Sequence, residues 1–375
     1  PRHHNSSILR LTTMPSSLIS PGLSTARINR PASCRTAKLS ATTFLGKPIT
    51  IASAAPKAQK TGVASIVAKT DVSKGTVKRR EGVVQELIEE HGCLVIPGVY
   101  DALSVSIVKN YKQFHSAFVS GFAVSASSLG KPDIGLLTPP ELAAVTGRIC
   151  DAAGNLPILA DADTGGGSAV NVARTVKDLI KAGAKGCFIE DQVWPKKGGH
   201  MRGKQVIPME DMEMKIRAAR AAIGGSDFFL VARTDARAIS SKNGLEMAIE
   251  RVNAYHSAGA DGTFIDAPRD RNELVTIGKE TKGYRVANMI EGGVTPILTD
   301  DELQAMGFSI VIHPLSGLLA ATKRLQETYG VLANNGSTLG VADTMFTDLS
   351  DFNDLLKLQK YKEFEDTFSV SPRPE

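Results

Sequence analysis

Short apolar runs alternate with helix-length stretches from residue 93 to residue 329. Eight runs rich in Val, Ile and Phe cover residues 93–98, 116–121, 157–163, 186–191, 228–235, 262–268, 284–289 and 308–314. Runs this short and this uniformly apolar suit strands buried on both faces. The stretches 102–113, 140–153, 168–182, 208–223, 244–258, 270–281, 299–306 and 316–329 have helical length and follow them in strict alternation. Eight strand–helix units predict an α/β chain folded as a (β/α)8 TIM barrel. Beyond it, Asn334, Asn335, Gly336 and Ser337 mark a break before a final helical segment around 351–364. Most apolar runs end abruptly in acids, a base or an amide. Chemistry in such barrels gathers at the carboxyl ends of the strands, so the pattern locates the chemistry before identifying it.

Composition divides the chain. Residues 1–70 contain no Asp or Glu, but ten Lys and Arg and many Ser, Thr and Ala. That composition reads as an organellar transit peptide. Its abundant Ser and Thr, without a strongly Arg-rich amphipathic helix, point to the chloroplast, with the mitochondrion as the alternative. The expected organisation is a transit peptide and leader over 1–75, a barrel over 80–333 and a C-terminal helical extension over 334–375. The whole chain is +5, but without its first seventy residues it has 34 Lys and Arg against 39 Asp and Glu, or −5. A nucleic-acid partner therefore loses its support. Nothing approaches the length of a membrane span. Cys34, Cys93, Cys150 and Cys187 show no metal-binding spacing and no disulfide framework.

The strand ends hold the candidate chemistry. Asp161-Ala162-Asp163 closes the third run, and residues two apart on an extended strand point the same way. Both carboxylates are therefore expected at the barrel mouth, joined by Glu190 and Asp191 from the fourth run and Asp266 from the sixth. Converging carboxylates raise each other's pKa, and a hard divalent cation, Mg2+ or alternatively Mn2+, relieves the repulsion. Arg233 ends the fifth run, and Lys196, Lys197, His200 and Arg202 lie in the loop after the fourth. A metal facing several cations suits a small, doubly anionic substrate. The glycines of WPKKGGHMRGK argue for a loop that closes over the site. Gly121 would let backbone amides approach a bound carboxylate. TGGG at 164–167 lacks the GxxxxGK[ST] pattern of a phosphate loop.

LIEEHG, PGVYDALS, SGFAVSAS, LGKPDIGLLT, DADTGGG, IEDQVWPKKGGHMRGK, FFLVARTDAR and NMIEGG follow one another in order over residues 87–293, and the likeness they carry extends over residues 87–368. The set resembles the isocitrate lyase/phosphoenolpyruvate mutase superfamily. The resemblance implies Asp161 as the direct Mg2+ ligand, with Asp163 and Glu190 holding the metal through water. It implies Ser120, Gly121 and Phe122 as a substrate-carboxylate cradle, and Arg233 as the group that binds substrate and stabilises an enolate. Lys197, Gly199 and His200 match the lyase loop, and Asn288 and Glu291 match the site after the seventh strand. Asp133 matches a loop acid near the reacting centre. Members are usually homotetramers that exchange a C-terminal helix, so a homo-oligomer is expected.

Two positions depart from the lyase pattern. Gly198 stands where lyases carry a cysteine, and Asp266 where they carry a glutamate one methylene longer. Losing a proton-transfer group costs about two to four decades in rate, so cleavage by the usual route is expected to be slow. Restoring the thiol with Gly198→Cys is expected to raise C–C cleavage. The primary expectation is a Mg2+-dependent enzyme acting through an enolate on a small oxo- or hydroxy-dicarboxylate or a phosphonate analogue. The alternatives are phosphonomutase activity and a non-catalytic subunit that binds metabolites.

Overall fold

The computed structural model describes residues 82–199 and 201–369. The leader assigned to 1–75, His200 and residues 370–375 of the extension lie outside the described residues. The strands are β1 Leu94–Val99, β2 Ala117–Val119, β3 Ile158–Asp161, β4 Gly186–Glu190, β5 Phe229–Thr234, β6 Gly262–Ile265, β7 Tyr284–Asn288 and β8 Ile310–His313. They pair in parallel in sequence order, and β1 closes on β8. Every apolar run is a strand, and the fold is the (β/α)8 barrel that the alternation predicts.

Alternation along each strand builds two cores. Inward residues such as Leu94, Ile96, Phe118, Phe188, Phe229 and Phe264 form one cluster inside the barrel. Outward residues such as Ile189 and Ala232 pack beneath the surrounding helices, against Val176 and Ile216 among others. Those helices are α1 Val83–His91, α2 Ala102–Val108, α3 Gly121–Val124, α4 Pro139–Ala153, α5 Ala169–Lys181, α6 Met209–Ile223, α7 Gly244–Ala258, α8 Arg271–Glu280, α9 Asp300–Ala305 and α10 Ser316–Asn335. Their starts are written locally. Thr138 with Glu141 and Thr299 with Glu302 form capping boxes at α4 and α9, while Asp101 and Asp270 cap α2 and α8. α1 precedes the first apolar run and is absent from the predicted elements. Its Val84 and Ile88, one helical turn apart, plug the amino end of the barrel and join the interior cluster.

Three local differences bear on function. The third run does not continue as a strand to Asp163: β3 stops at Asp161, and Asp163 is left-handed at φ 47°. SGFAVSAS is not a simple turn but the helical turn α3 followed by a π-helical turn over Ser125–Leu129. The extension comprises α11 Ala342–Met345, α12 Leu349–Leu355 and α13 Leu358–Phe368, and neither these helices nor α10 buries a residue.

Candidate active site

A cavity opens at the carboxyl ends of the strands. Its floor is aromatic: Phe118 and Phe188 pack at a tilt of 46° with centroids 4.8 Å apart, and Phe188 meets Phe264 edge-on at 6.1 Å. Above the floor the inward alternation turns polar and places Ser120, Asp161, Glu190, Arg233 and Asn288 in the wall. Phe122 of α3 and the loop residues Asp133, Lys196, Gly198 and Gly199 add to the lining, and Ile290, Ile312, Pro314 and Leu315 close its apolar side.

Asp161 and Asp163 do converge, by a turn rather than by strand alternation. The left-handed residue 163 brings its amide back to donate to Asp161 Oδ1 at 2.9 Å. Gly121 is the third side of this contact. A Cβ there would lie 2.9 Å from Asp161 Oδ2 and 3.3 Å from Asp163 Oδ1, so the two carboxylates reach one point only because residue 121 has no side chain. Burial, then repulsion from Asp163, raises the Asp161 pKa to about 6. Ser120 caps α3, its hydroxyl accepting from the Ala123 amide at 3.3 Å.

Glu190 is engaged on both oxygens. Oε1 accepts from Gln192 Nε2 at 2.9 Å, and Oε2 pairs with Arg233 Nε at 3.2 Å. Burial drives its pKa well up despite the arginine. Arg233, only 14% exposed, also pairs with Asp235 at 2.9 Å and Asp266 at 3.0 Å, and its guanidinium carbon lies 5.1 Å from the Phe264 ring centroid. Asn288 donates to Asp266 Oδ1 at 3.2 Å, while its own Oδ1 is buried without a hydrogen-bond partner. Asp191 leaves the cavity altogether. It faces outward, accepting from Thr234 at 2.6 Å, Tyr255 at 2.8 Å and Arg251 at 3.1 Å, and is therefore a packing centre.

The loop after β4 divides its two lysines. Lys196 enters the cavity, buried, with Nζ 2.5 Å from Asp133 Oδ1 and 2.7 Å from Asp163 Oδ1. Burial disfavours its charge, but Asp163 and Asp133 outweigh that and hold its pKa well up. Burial also raises the pKa of Asp133 in spite of Lys196. Lys197 turns the other way and donates to the Gly203 carbonyl at 2.7 Å, off the cavity lining. Gln192 fixes this division by holding the Lys197 amide at 3.0 Å and its carbonyl at 3.0 Å. Glu291 also lies outside the cavity lining, exposed beside Ser316 and 4.0 Å from His313.

Gly198 is explained by its neighbour. Its amide donates to the Asp133 carbonyl at 2.8 Å, and a Cβ at 198 would lie 1.9 Å from Asp133 Oδ2 and 2.7 Å from Asp133 Cβ. In the docked loop a side chain at 198 therefore requires Asp133 or the loop to move, which weighs against the expected gain from Gly198→Cys.

Among the described residues no group of three His, Cys, Asp or Glu stands in metal-holding geometry. The reason is visible in the ion pairs: Lys196 supplies the cation between Asp133 and Asp163. The donors nonetheless fit a hard dication held by few carboxylates plus water. Asp161 and Asp163 offer only oxygen. Asp163 Oδ1 is buried and lacks a hydrogen-bond partner, since Lys196 approaches it off the line of a hydrogen bond.

The profile of the family described as Phosphoenolpyruvate phosphomutase matches residues 84–332. Over 283 residues the chain is 60% identical to "Carboxyvinyl-carboxyphosphonate phosphorylmutase, chloroplastic" of Arabidopsis thaliana, spanning 76% of this chain and 83% of that one. It is 43% identical over 287 residues to 2,3-dimethylmalate lyase of Eubacterium barkeri, spanning 76% and 97%. The structure of oxaloacetate acetylhydrolase with 3,3-difluorooxalacetate matches with TM-score 0.70 and 32% identity, over 75% of this chain and 94% of that one. Phosphonopyruvate hydrolase in complex with oxalate and Mg++ matches with TM-score 0.67 and 25% identity, over 76% and 98%. The chain belongs to the phosphoenolpyruvate mutase family, within the isocitrate lyase/phosphoenolpyruvate mutase superfamily. Its relatives are named as a phosphorylmutase, a lyase and hydrolases, and it is an enzyme of that superfamily.

Proposed function

We propose that this chain is a Mg2+-dependent enzyme that cleaves a small oxo- or hydroxy-dicarboxylate, or a phosphonate analogue, through an enolate. The observation behind this reading is a cavity lined by the Asp161 and Glu190 carboxylates together with the Lys196 and Arg233 cations, with Asp163 held against Lys196 at its edge. Asp161 would hold the metal directly, with Asp163 and Glu190 reaching it through water. Bound there, Mg2+ supplies Lewis-acid stabilisation of negative charge growing on the substrate oxygen. Arg233, aimed by Glu190, Asp235 and Asp266, presents a second, preorganised positive charge to that oxygen. The first amides of α3, which no carbonyl within the helix satisfies, suit the substrate carboxylate beside Ser120, Gly121 and Phe122. Asn288 Oδ1 offers an acceptor to a substrate hydroxyl. The aromatic floor excludes water from the carbanionic fragment.

The cavity is about 40 Å³, room for a few ordered waters. Lys196, Gly198 and Gly199 line it from the loop over 192–206, so substrate entry is expected to involve withdrawal of that loop, taking Lys196 with it. Asp133 and Lys196 are the groups placed to exchange a proton with the reacting fragment, which leaves no task for a thiol at 198. Phosphonomutase chemistry is the alternative within the same site, as the Arabidopsis relative's name suggests. Turnover of oxaloacetate, alkylmalates and phosphonopyruvate by the purified chain with Mg2+ tests the reading. C–C cleavage is expected to dominate. No turnover combined with tight oxalate binding would assign a metabolite-binding subunit instead.

A second part of the proposal concerns assembly. Outward residues Val95 and Pro97 of β1, and Cys93 just before it, are only partly covered, whereas Ala160, Ile189 and Ala232 on β3, β4 and β5 are sealed. The same chain carries Tyr361, Phe364 and Phe368 exposed on α13. Exchange of C-terminal helices between copies, in a homo-oligomer, would cover both. Removal of residues 336–375 is then expected to yield monomers by light scattering. The leader composition and the relative's name both favour the chloroplast.

A further inference from the structure

Lys204 ends the loop motif WPKKGGHMRGK but has been given no role of its own above, and it does not line the cavity. Its ammonium is 1% exposed and donates to Asp235 Oδ1 and, at 2.9 Å, to Asp266 Oδ2. These are the same two carboxylates that grip Arg233, through Nη2 to Asp235 Oδ1 at 2.9 Å, Nε to Asp235 Oδ2 at 3.0 Å and Nη2 to Asp266 Oδ2 at 3.0 Å. Two cations and two carboxylates thus form a quartet whose own charges balance, with Glu190 as a further partner of Arg233 at 3.2 Å. Asp235 and Asp266 are 0% and 1% exposed, so water screens neither of them. Take Lys204 away and the single charge of Arg233 faces two anions. The quartet's net charge then falls from zero to minus one, which works against the anion that Arg233 is there to meet.

Position adds a second consequence. Lys204 lies on the returning arm of the loop, where Gln192 and Val206 form an antiparallel bridge and the Val193 amide donates to the Gln205 carbonyl at 2.8 Å. The residue that balances the quartet therefore arrives with the segment that covers the site.

We propose that Lys204 is a positioning residue: by neutralising Asp235 and Asp266 it leaves the charge of Arg233 available to an anionic substrate oxygen, and it couples that availability to docking of the loop. The inference rests on the functional reading above for the substrate's charge, and it deepens that reading.

The test is calorimetric titration of oxalate, with Mg2+ present, into the unaltered chain and three variants. Lys204→Met is expected to weaken oxalate by about tenfold or more, the consequence of one uncompensated buried charge. Lys204→Arg is expected to bind like the unaltered chain. Lys204→Met/Asp235→Asn is expected to recover most of the loss, because it removes one anion along with one cation. A residue that merely held the loop together would give no such rescue. Unchanged binding by Lys204→Met, or no recovery in the double variant, overturns the inference and leaves the functional reading standing. Should Lys204→Met not fold, Asp235→Asn alone decides: with Lys204 in place it gives the quartet a net positive charge and is expected to tighten oxalate, and equal or weaker binding overturns the proposal. If the unaltered chain binds no oxalate, the functional reading falls and this inference with it.

Discussion

The two ends of one barrel differ by only two residues along a strand. On β5, Phe229 and Val231 point into a sealed apolar interior, and the next inward residue is Arg233. On β4 the step is from Phe188 to Glu190. Toward the amino end, Val84 and Ile88 of α1 close the interior, and burial there is favourable at about 25 cal/mol per Å². Toward the carboxyl end, Asp133, Asp163, Glu190, Asp235, Asp266, Lys196 and Lys204 are all buried. Taking such charges out of water is costly, and their mutual pairing does little more than offset that cost. One end stabilises the fold; the other uses that stability to hold charges where a reaction can use them.

A pair of substitutions breaks this comparison if it is wrong. Asp161→Ala is expected to lower Mg2+-dependent turnover by about two decades or more, because it removes the direct site of the stabilising cation. Its thermal midpoint should hold or rise, since Asp163 loses a repelling neighbour. Ile88→Ala is expected to do the reverse, costing about 2–5 kcal/mol of stability while leaving kcat unchanged below the unfolding transition. Denaturant melts and steady-state kinetics on both variants decide. Asp161→Ala protein that keeps its activity but melts early would merge the two ends into one.

Gly198→Cys sharpens the polar side of the comparison. The docked loop puts Asp133 where a side chain at 198 must go, so the added thiol forces the loop or the acid aside. Overpacking of this kind costs about 1–3 kcal/mol. The expected outcome is slower C–C cleavage and faster proteolysis within 192–206. Adding Asp133→Ala is expected to relieve the proteolytic sensitivity without restoring the rate. A gain in cleavage by Gly198→Cys alone would show that turnover proceeds with a differently docked loop.

The barrel was legible because its signal is repetition: eight apolar runs, each bounded by a helix-length interval, leave few other folds. α1 was not legible, since one amphipathic helix before the first run looks the same whether it plugs a barrel or lies on the surface. At the site, the residue types at strand ends identified the acids and Arg233. The geometry joining them was less accessible. Asp161 and Asp163 meet through a left-handed residue, which strand alternation cannot foresee. Adjacent lysines 196 and 197 are equivalent in sequence, and only Gln192 and the packing of the loop choose which one enters the cavity. Lys204 finds Asp235 and Asp266 across 31 and 62 residues of chain, beyond any local pattern. Asp191 shows the opposite error, an acid at a strand end that alternation turns outward to Tyr255 and Arg251.

The smallest effect concerns pH, and it separates the ends without any substitution. The pKa of Asp161 rises on folding from 3.8 to about 6. Between those values the folded chain binds more protons than the unfolded one, so stability falls as pH rises through 6. Burial pushes Glu190 and Asp133 in the same direction. Asp161 keeps part of its surface in the cavity, so solvent reduces its share to an effect on the order of 1 kcal/mol. A dication bound to the ionised carboxylates opposes this loss and favours the charged form. Mg2+ is therefore expected to raise the thermal midpoint at pH 7.5 and to have little effect at pH 5, where Asp161 is mostly protonated. Asp161→Asn should reduce the pH trend to the part left by Glu190 and Asp133 and flatten the Mg2+ response, whereas Ile88→Ala should lower every midpoint and preserve both. A Mg2+ stabilisation equal at the two pH values would mean that the ion binds somewhere other than between these carboxylates.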